Sequence, residues 1–302
     1  MTRLADLAEL VRAPAALSVP GDVLSGAAAA GALDRRTPAL AGASVLLYWA
    51  GMAANDWADR RLDAVERPER PIPSGRVRPS VALGVASGLT AAGLAVATAA
   101  GGGRAAAVAL PLAATIWGYD LRAKNTAAGP AVMAACRGLD VLLGASGGRV
   151  VRALPAALTV AAHTWTVTAL SRREVTGADR RLPGLTLAGT ALIAFTTPAR
   201  PTVLSGAPSS TGCVKRGPFL RLGGLVPGVL AAGYAARYGR AQARVLADPS
   251  PARVRAAVGA GITGLPALQG ALTARAGAQV LGLAVAAAAP LGRRLARLIS
   301  PT

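Results

Sequence analysis

Long apolar segments alternate with short basic loops along the whole 302-residue chain. Each segment consists mainly of Ala, Leu, Val and Gly, and a length of roughly 17–25 residues is sufficient to cross a bilayer. Ten such segments lie near residues 14–33, 38–54, 80–101, 104–118, 127–148, 153–170, 182–198, 218–236, 253–273 and 276–296. The last two segments can also form one broken element, which reduces the count to nine. Because lipid offers the backbone no hydrogen-bond partners, we expect every spanning element to be a helix.

The composition supports this all-α fold class, a polytopic transmembrane bundle of nine or ten helices that we expect to be one domain over residues 1–302. Only 16% of the residues are charged, whereas soluble domains average about 25%. The net charge of +19 does not indicate nucleic-acid binding, because the arginines lie between apolar segments and form no basic face with interleaved aromatic residues. The lipid bilayer is therefore the predicted environment, and nucleic acid is excluded as a partner.

Lysines and arginines are distributed unevenly between the two sides of the predicted bundle. Roughly two thirds of the 33 basic residues fall on one side, which the positive-inside rule identifies as cytoplasmic. Two acidic clusters fall on the same side, one within residues 55–69 and one within residues 171–181. We therefore predict a multi-pass protein of the cell membrane with its acidic loops facing the cytoplasm.

The first acidic cluster, NDWADRRLD at residues 55–63, has helical spacing. Its three aspartates fall at i, i+3 and i+7, and the asparagine lies four residues before the second aspartate; this first motif comprises Asn55, Asp56, Asp59 and Asp63. If the preceding helix continues through it, all four side chains share one face within reach of a common ion. Oxygen ligands suit Mg²⁺, whose coordination substrate phosphates commonly complete. We expect the carboxylates of Asp56 and Asp59 to be exposed and to contribute little to folding.

Arginines follow the first motif directly, and arginine is well suited to phosphate recognition. The run NDWADRRLDAVERPERPIPSGRV, residues 55–77, resembles the first aspartate-rich motif of the UbiA superfamily of intramembrane prenyltransferases. The resemblance implies that the first motif holds Mg²⁺ against an isoprenyl diphosphate. It also implies that Arg67 and Arg70 contact the diphosphate or close the loop over it.

The second acidic cluster departs from the pattern of this superfamily, which usually has DxxxD in the loop after the sixth span. Here the acidic residues are Glu174 and Asp179, which are five residues apart. Side chains at i and i+5 diverge by about 140° on an ideal helix, so Gly177 must break the helix if both bind one ion. The resemblance implies that Glu174 and Asp179 are metal ligands, and the alternative is that they are helix-end charges beside arginines.

The loop YDLRAK, residues 119–124, resembles the YSxxxK segment of the same superfamily, with Asp120 in place of the serine. The resemblance implies that Tyr119 and Lys124 contact the diphosphate. An ordinary interfacial anchor is the alternative for both residues.

Three ionisable residues, Asp22, Arg137 and Asp140, lie inside predicted spans. Ionisable residues at such depth are usually paired, face the bundle interior and mark functional sites. A structural pair and a role in a substrate pocket are both open for Arg137 and Asp140. His163, the only histidine, forms no metal site alone, and we expect it to be buried and hydrogen bonded.

Two further runs, MAACRGLDVLLGA and ITGLPALQGALTARAG, resemble the EboC-like bacterial branch of the superfamily. Together the resemblances imply Mg²⁺-dependent transfer of an isoprenyl group from an allylic diphosphate to an acceptor in or at the membrane. The sequence does not choose among an aromatic ring, a polyol, a sugar phosphate and haem as acceptor. A transporter is the alternative suggested by the intramembrane ionisable residues, and a non-catalytic UbiA-like protein is the alternative suggested by the irregular second cluster.

Overall fold

Apolar, alanine-rich segments form helices throughout the structure, a computed structural model that describes residues 3–13, 18–197 and 225–288. Within these ranges there are ten α-helices, one π-helical turn at Tyr119–Ala123 and no strand. The helices are α1 (Leu4–Leu10), α2 (Val19–Ala30), α3 (Thr37–Glu66), α4 (Pro79–Gly118), α5 (Gly129–Ala145), α6 (Val150–Ser171), α7 (Arg181–Thr196), α8 (Val226–Ala247), α9 (Pro251–Arg275) and α10 (Gln279–Ala288). The all-α prediction is confirmed.

Helix α4 consists of two antiparallel arms that join at Gly102. This residue has φ 64° and ψ −156°, a conformation that is available almost only to glycine. The Trp117 indole N–H in the second arm donates a 3.0 Å hydrogen bond to Thr90 Oγ1 in the first arm. The two arms match the predicted spans 80–101 and 104–118, so the break between those spans is confirmed.

The bundle has the length and polarity of a membrane protein. Three of its described helical segments, Thr37–Glu66, Pro79–Ala123 and Val150–Ser171, are individually long and apolar enough to span a bilayer. The remaining helices are shorter or carry more polar residues. Parts of the predicted spans 14–33, 182–198, 218–236 and 276–296 lie outside the described residues.

Several loops meet at one end of the bundle. Arg172, which follows α6, donates hydrogen bonds to the carbonyls of Lys124 and Thr126 in the loop after the π-helical turn. Arg255 on α9 donates a 2.9 Å hydrogen bond to the Glu174 carbonyl. Lys124, in the loop that Arg172 contacts, lies 2.6 Å from Asp59 on α3, so both acidic clusters lie at one end of the bundle, which we call the loop end.

Candidate functional site

Helix α3 continues without interruption through the first motif and ends at Glu66. The predicted helical register is therefore correct, and α3 extends twelve residues beyond the predicted span 38–54. On a helix with 100° between residues, the four side chains occupy an arc of about 100°. The side chains at the two edges of this arc contact different neighbouring elements.

The first edge carries Asp56 and Asp63, which share a cation. Arg70 Nη1 lies 2.6 Å from Asp63 Oδ2 and 3.3 Å from Asp56 Oδ1. Asp56 Oδ1 also accepts a 2.7 Å hydrogen bond from Arg12. Arg67 is more distant, at 3.9 Å from Asp63 Oδ1, and its side chain is half exposed. Arg70 is thus the central cation of this edge.

The second edge carries Asn55 and Asp59, which face the π-helical turn. Asn55 Nδ2 donates a 3.1 Å hydrogen bond to Asp120 Oδ1, and Lys124 Nζ lies 2.6 Å from Asp59 Oδ1. A π-helical turn is rare and tends to occur at functional sites. In this turn Asp120 and Lys124 both contact the first motif. The adjacent Tyr119 lines a cavity described below.

Two of the first-motif carboxylates are buried. Asp56 and Asp63 are 3% and 2% exposed, so the expectation of an exposed carboxylate is wrong for Asp56, whereas Asp59 is partly exposed. The physical reason is the loop after α3, which folds back and covers them with Arg70. If the arginine partner of a buried carboxylate is removed, the carboxylate is left as an uncompensated buried charge and the folded state is destabilised.

Helix α1 covers the first edge from the other side. Arg76 in the loop after α3 binds Asp6 at 3.0 Å and Glu9 at 2.6 Å on α1. A hydrogen bond from the Arg3 backbone N–H and the nearby Arg76 guanidinium together lower the pKa of Asp6. Docking of α1 brings Arg12 onto the site. Arg12 was not among the predicted site residues, because in the sequence it resembles any other basic residue beside a span.

The second acidic cluster does not contact the first motif through any hydrogen bond or ion pair of the described residues. Helix α6 already ends at Ser171, so neither acidic residue lies on it, and Gly177 has φ +78° in the loop that follows. Asp179 is exposed, and its carboxylate accepts a 3.0 Å hydrogen bond from the Leu182 backbone N–H at the start of α7. Glu174 is half-buried, and this burial raises its pKa, while the nearby Arg255 acts in the opposite direction. The geometry of Asp179 thus corresponds to a helix cap.

The donor set at the loop end fits Mg²⁺ in chemical type. Mg²⁺ prefers oxygen ligands. One group of such ligands comes from Asp56 and Asp63. A second group comes from Asn55, Asp59 and Asp120. Among the described residues, no three carboxylate, histidine or cysteine side chains already converge on one point. The carboxylates instead neutralise arginine and lysine, so a metal ion would have to compete with these cations.

An apolar cavity of about 330 Å³ opens beside the site. It lies between α2, α3, α5, α6 and α9 and includes Tyr48, Met52, Tyr119 and Met133 in its wall. The same four residues also line a cavity of about 30 Å³ that reaches Asp120. The two cavities are therefore neighbours that share part of their walls, and the smaller one reaches Asp120, which accepts a hydrogen bond from Asn55 on the second edge of the first motif.

The three intramembrane ionisable residues form one buried cluster. Arg137 Nε lies 2.7 Å from Asp22 Oδ2, and Gln269 donates a 2.6 Å hydrogen bond to Asp22 Oδ1. Asp140 accepts a short hydrogen bond from Ser44. Asp22 and Asp140 are fully buried, whereas Arg137 lines the larger cavity. The cluster is thus both an internal ion pair and part of a pocket wall.

His163 also lines the larger cavity. It is 1% exposed, and its Nδ1 lies 2.9 Å from the Tyr234 hydroxyl. Tyr238 packs edge-on against the same imidazole ring. The prediction of a buried, hydrogen-bonded histidine is confirmed.

A helical membrane bundle with an acidic motif at one end and an apolar cavity beside it is typical of intramembrane enzymes and carriers. Residues 20–254 match the UbiA prenyltransferase family. The match includes more than two thirds of the chain, and the chain belongs to this family.

Curated relatives show shorter, local similarity. The chain is 44% identical over 80 residues to a digeranylgeranylglyceryl phosphate synthase of Methanothrix thermoacetophila, a match that covers 26% of this chain and 30% of the relative. It is 40% identical over 110 residues to the bacteriochlorophyll synthase 33 kDa chain of Cereibacter sphaeroides, a match that covers 34% of this chain and 36% of the relative. The matched regions thus span about a third of the length of these relatives.

Solved structures share the fold. One, described as a digeranylgeranylglyceryl phosphate synthase in membranes, superposes with a TM-score of 0.66 at 16% identity and covers 91% of this chain and 99% of its own. An apo UbiA homologue from Aeropyrum pernix K1 superposes with a TM-score of 0.61 at 16% identity and covers 88% and 96% of the two chains. The likeness establishes the UbiA fold for this bundle.

Proposed function

We propose that the protein is a prenyltransferase that moves an isoprenyl group from an allylic isoprenyl diphosphate to an acceptor in or at the membrane. The observation that carries the proposal is the apolar cavity beside Tyr119, next to the π-helical turn whose Asp120 and Lys124 contact the first motif. A diphosphate at the loop end and a hydrocarbon chain in the cavity match the two halves of such a donor. Family membership and the names of the relatives support the same reaction class.

In the proposed reaction, the allylic C–O bond of the donor breaks and its electron pair leaves with the diphosphate. The acceptor forms the new bond to carbon and loses a proton, which diphosphate or water accepts. Arg70 and Lys124 supply fixed positive charge near the leaving group, and the apolar walls keep water from the allylic cation. Mg²⁺, when bound, neutralises further charge on the diphosphate.

We assign the metal ligands to the first motif, with Glu174 as an additional ligand from the second cluster. Asp179 is a weaker candidate because it caps α7. Arg67, Arg70, Tyr119 and Lys124 are the proposed diphosphate contacts. Residues 1–302 are proposed as one integral-membrane domain, in the cell membrane, with the loop end facing the cytoplasm. Membership in the EboC-like branch stays a prediction.

A release assay tests the function. Purified protein and a lipid extract of its source cells, which supplies the acceptor, are incubated with geranyl or farnesyl diphosphate, and free diphosphate is measured with Mg²⁺ and with EDTA. We expect Mg²⁺-dependent release that is lost in Asp59→Asn. The buried Asp22–Arg137 pair favours a transporter as the second candidate. Release that is absent for both donors would reject the prenyltransferase and leave the transporter or a non-catalytic protein.

A further inference from the structure

A further cavity, of about 110 Å³, lies at the end of the bundle opposite the loop end, and we call it the far-end cavity. Its wall is formed by the turn before α3, the bend of α4 and the end of α5. Helix α3 begins at Thr37 and reaches Asn55 18 residues later, a distance of about 27 Å along the helix axis. The far-end cavity is therefore separate from the proposed diphosphate site.

The far-end cavity is lined by two arginines and one aspartate, Arg36, Arg104 and Asp34. Within the described part of the chain, neither guanidinium forms a hydrogen bond or an ion pair. Asp34 Oδ1 instead accepts a 2.8 Å hydrogen bond from the Arg36 backbone N–H. The charged side chains of the wall thus leave one positive charge in excess, and both guanidinium groups keep their hydrogen-bond donors available.

Ser146 is a third polar group of the same wall and is independent of the arginines. It follows α5 directly, is 1% exposed and lines the cavity. Its hydroxyl oxygen is buried and has no hydrogen-bond partner among the residues that the structure describes. A methyl group at Gly101 would lie 3.5 Å from this oxygen, so the glycine leaves the hydroxyl uncovered. Because buried hydroxyl groups are nearly always hydrogen bonded, Ser146 points to a ligand that brings an acceptor into the cavity.

The chemistry of these three donors selects an oxyanion. Arginine binds phosphate through paired N–H donors, and a serine hydroxyl donates to the same kind of oxygen. A cation would meet the excess positive charge of the wall. Asp34 opposes an anion, but the two arginines outnumber it.

We propose that the far-end cavity binds a phosphate group, which Arg36, Arg104 and Ser146 hold. This group is either the headgroup of an anionic membrane lipid or free phosphate, and the experiment below distinguishes the two sources. The three side chains come from the adjoining ends of α3, α4 and α5, so a bound phosphate links these helices. The proposal does not depend on the reaction at the loop end.

Isothermal titration calorimetry of the purified full chain in uncharged detergent with EDTA tests the proposal, with inorganic phosphate and phosphatidylglycerol as the two probes. Arg104→Gln and Ser146→Ala should each weaken binding by about fivefold, through the loss of one charge and of one hydrogen bond. Asp34→Asn should tighten binding by about fivefold, because it removes the like charge. Arg35→Gln is the matched control, since Arg35 is an exposed arginine at the same end that does not line the cavity. Phosphate that binds at the loop end contributes equally in all four variants and cancels in the comparison.

The pattern across the variants decides the outcome. Binding of phosphatidylglycerol alone, with the expected changes in Arg104→Gln and Asp34→Asn, supports a lipid headgroup, and equal binding of both probes supports free phosphate. The gain in Asp34→Asn cannot come from a misfolded variant. The proposal is overturned if neither probe binds, if binding is unchanged in Arg104→Gln and Ser146→Ala, or if Arg35→Gln weakens binding as much as Arg104→Gln, which would show non-specific attraction to a basic surface.

Discussion

Replacement of Arg70 by methionine removes the cation that Asp56 and Asp63 share. Arg70 Nη1 lies 2.6 Å from Asp63 and 3.3 Å from Asp56, and its side chain is only 17% exposed. Breaking a buried ion pair by removing one partner typically costs about 3–5 kcal/mol. Because Arg12 stays 2.7 Å from Asp56, we expect a loss near the lower limit, about 3 kcal/mol.

The same substitution should make Mg²⁺ more stabilising. In the wild-type protein a metal ion at Asp56 and Asp63 competes with Arg70, and in Arg70→Met that competition is absent. A ligand that binds only the folded state stabilises it in proportion to the logarithm of its concentration relative to its Kd. Mg²⁺ should therefore raise the melting temperature of Arg70→Met more than that of the wild-type protein.

Thermal unfolding in detergent micelles, with EDTA and with Mg²⁺, measures both effects. Arg67→Met is the matched control, because Arg67 is half exposed and 3.9 Å from Asp63, and such pairs contribute at most about 1 kcal/mol. An Arg70→Met protein that melts like Arg67→Met in EDTA would refute the structural role of Arg70. Equal Mg²⁺ stabilisation of Arg70→Met and wild-type protein would refute competition between metal and arginine at this edge.

Three further predictions concern other parts of the site and the fold. Asp59→Asn should abolish diphosphate release in the steady-state assay, because it removes a proposed metal ligand that is paired with Lys124 at 2.6 Å; wild-type turnover would exclude Asp59 from the site. Glu174→Ala should lower turnover at least about tenfold more than Asp179→Ala, or ~1.4 kcal/mol of barrier, because Asp179 caps α7; equal losses would restore a two-ligand second cluster. Gly102→Ala should destabilise the protein by about 1–3 kcal/mol, because φ is 64° there; the same melting temperature as a Gly103→Ala control would disprove strain at this position.

The helical elements and the register of the first motif could be predicted from local sequence. Apolar length determines which segments are helical, and the i, i+3, i+7 spacing places Asp56, Asp59 and Asp63 on one side of α3. The break at Gly102 was likewise predictable, because a run of three glycines, residues 101–103, lies where the two predicted spans meet. These features depend on residues that are close in the chain.

The partners of each carboxylate could not be predicted from spacing. Asp56 binds Arg12, 44 residues earlier in the chain, and Asn55 binds Asp120, 65 residues later. Such contacts depend on how α1 and the π-helical turn pack against α3, and no local pattern encodes that packing. For the same reason the burial of Asp56 was missed, since the loop that covers it reads as a charged, solvated segment.

The central claim is that the donor diphosphate binds at the loop end and its hydrocarbon chain enters the apolar cavity. A structure determined with Mg²⁺ and the unreactive analogue geranyl S-thiolodiphosphate tests this claim most directly. The account predicts the diphosphate between Asp59 and Lys124 on one side and Arg70 on the other, with the geranyl chain beside Tyr48 and Met52. An analogue bound outside the cavity, or a diphosphate without contact to any first-motif residue, would contradict it.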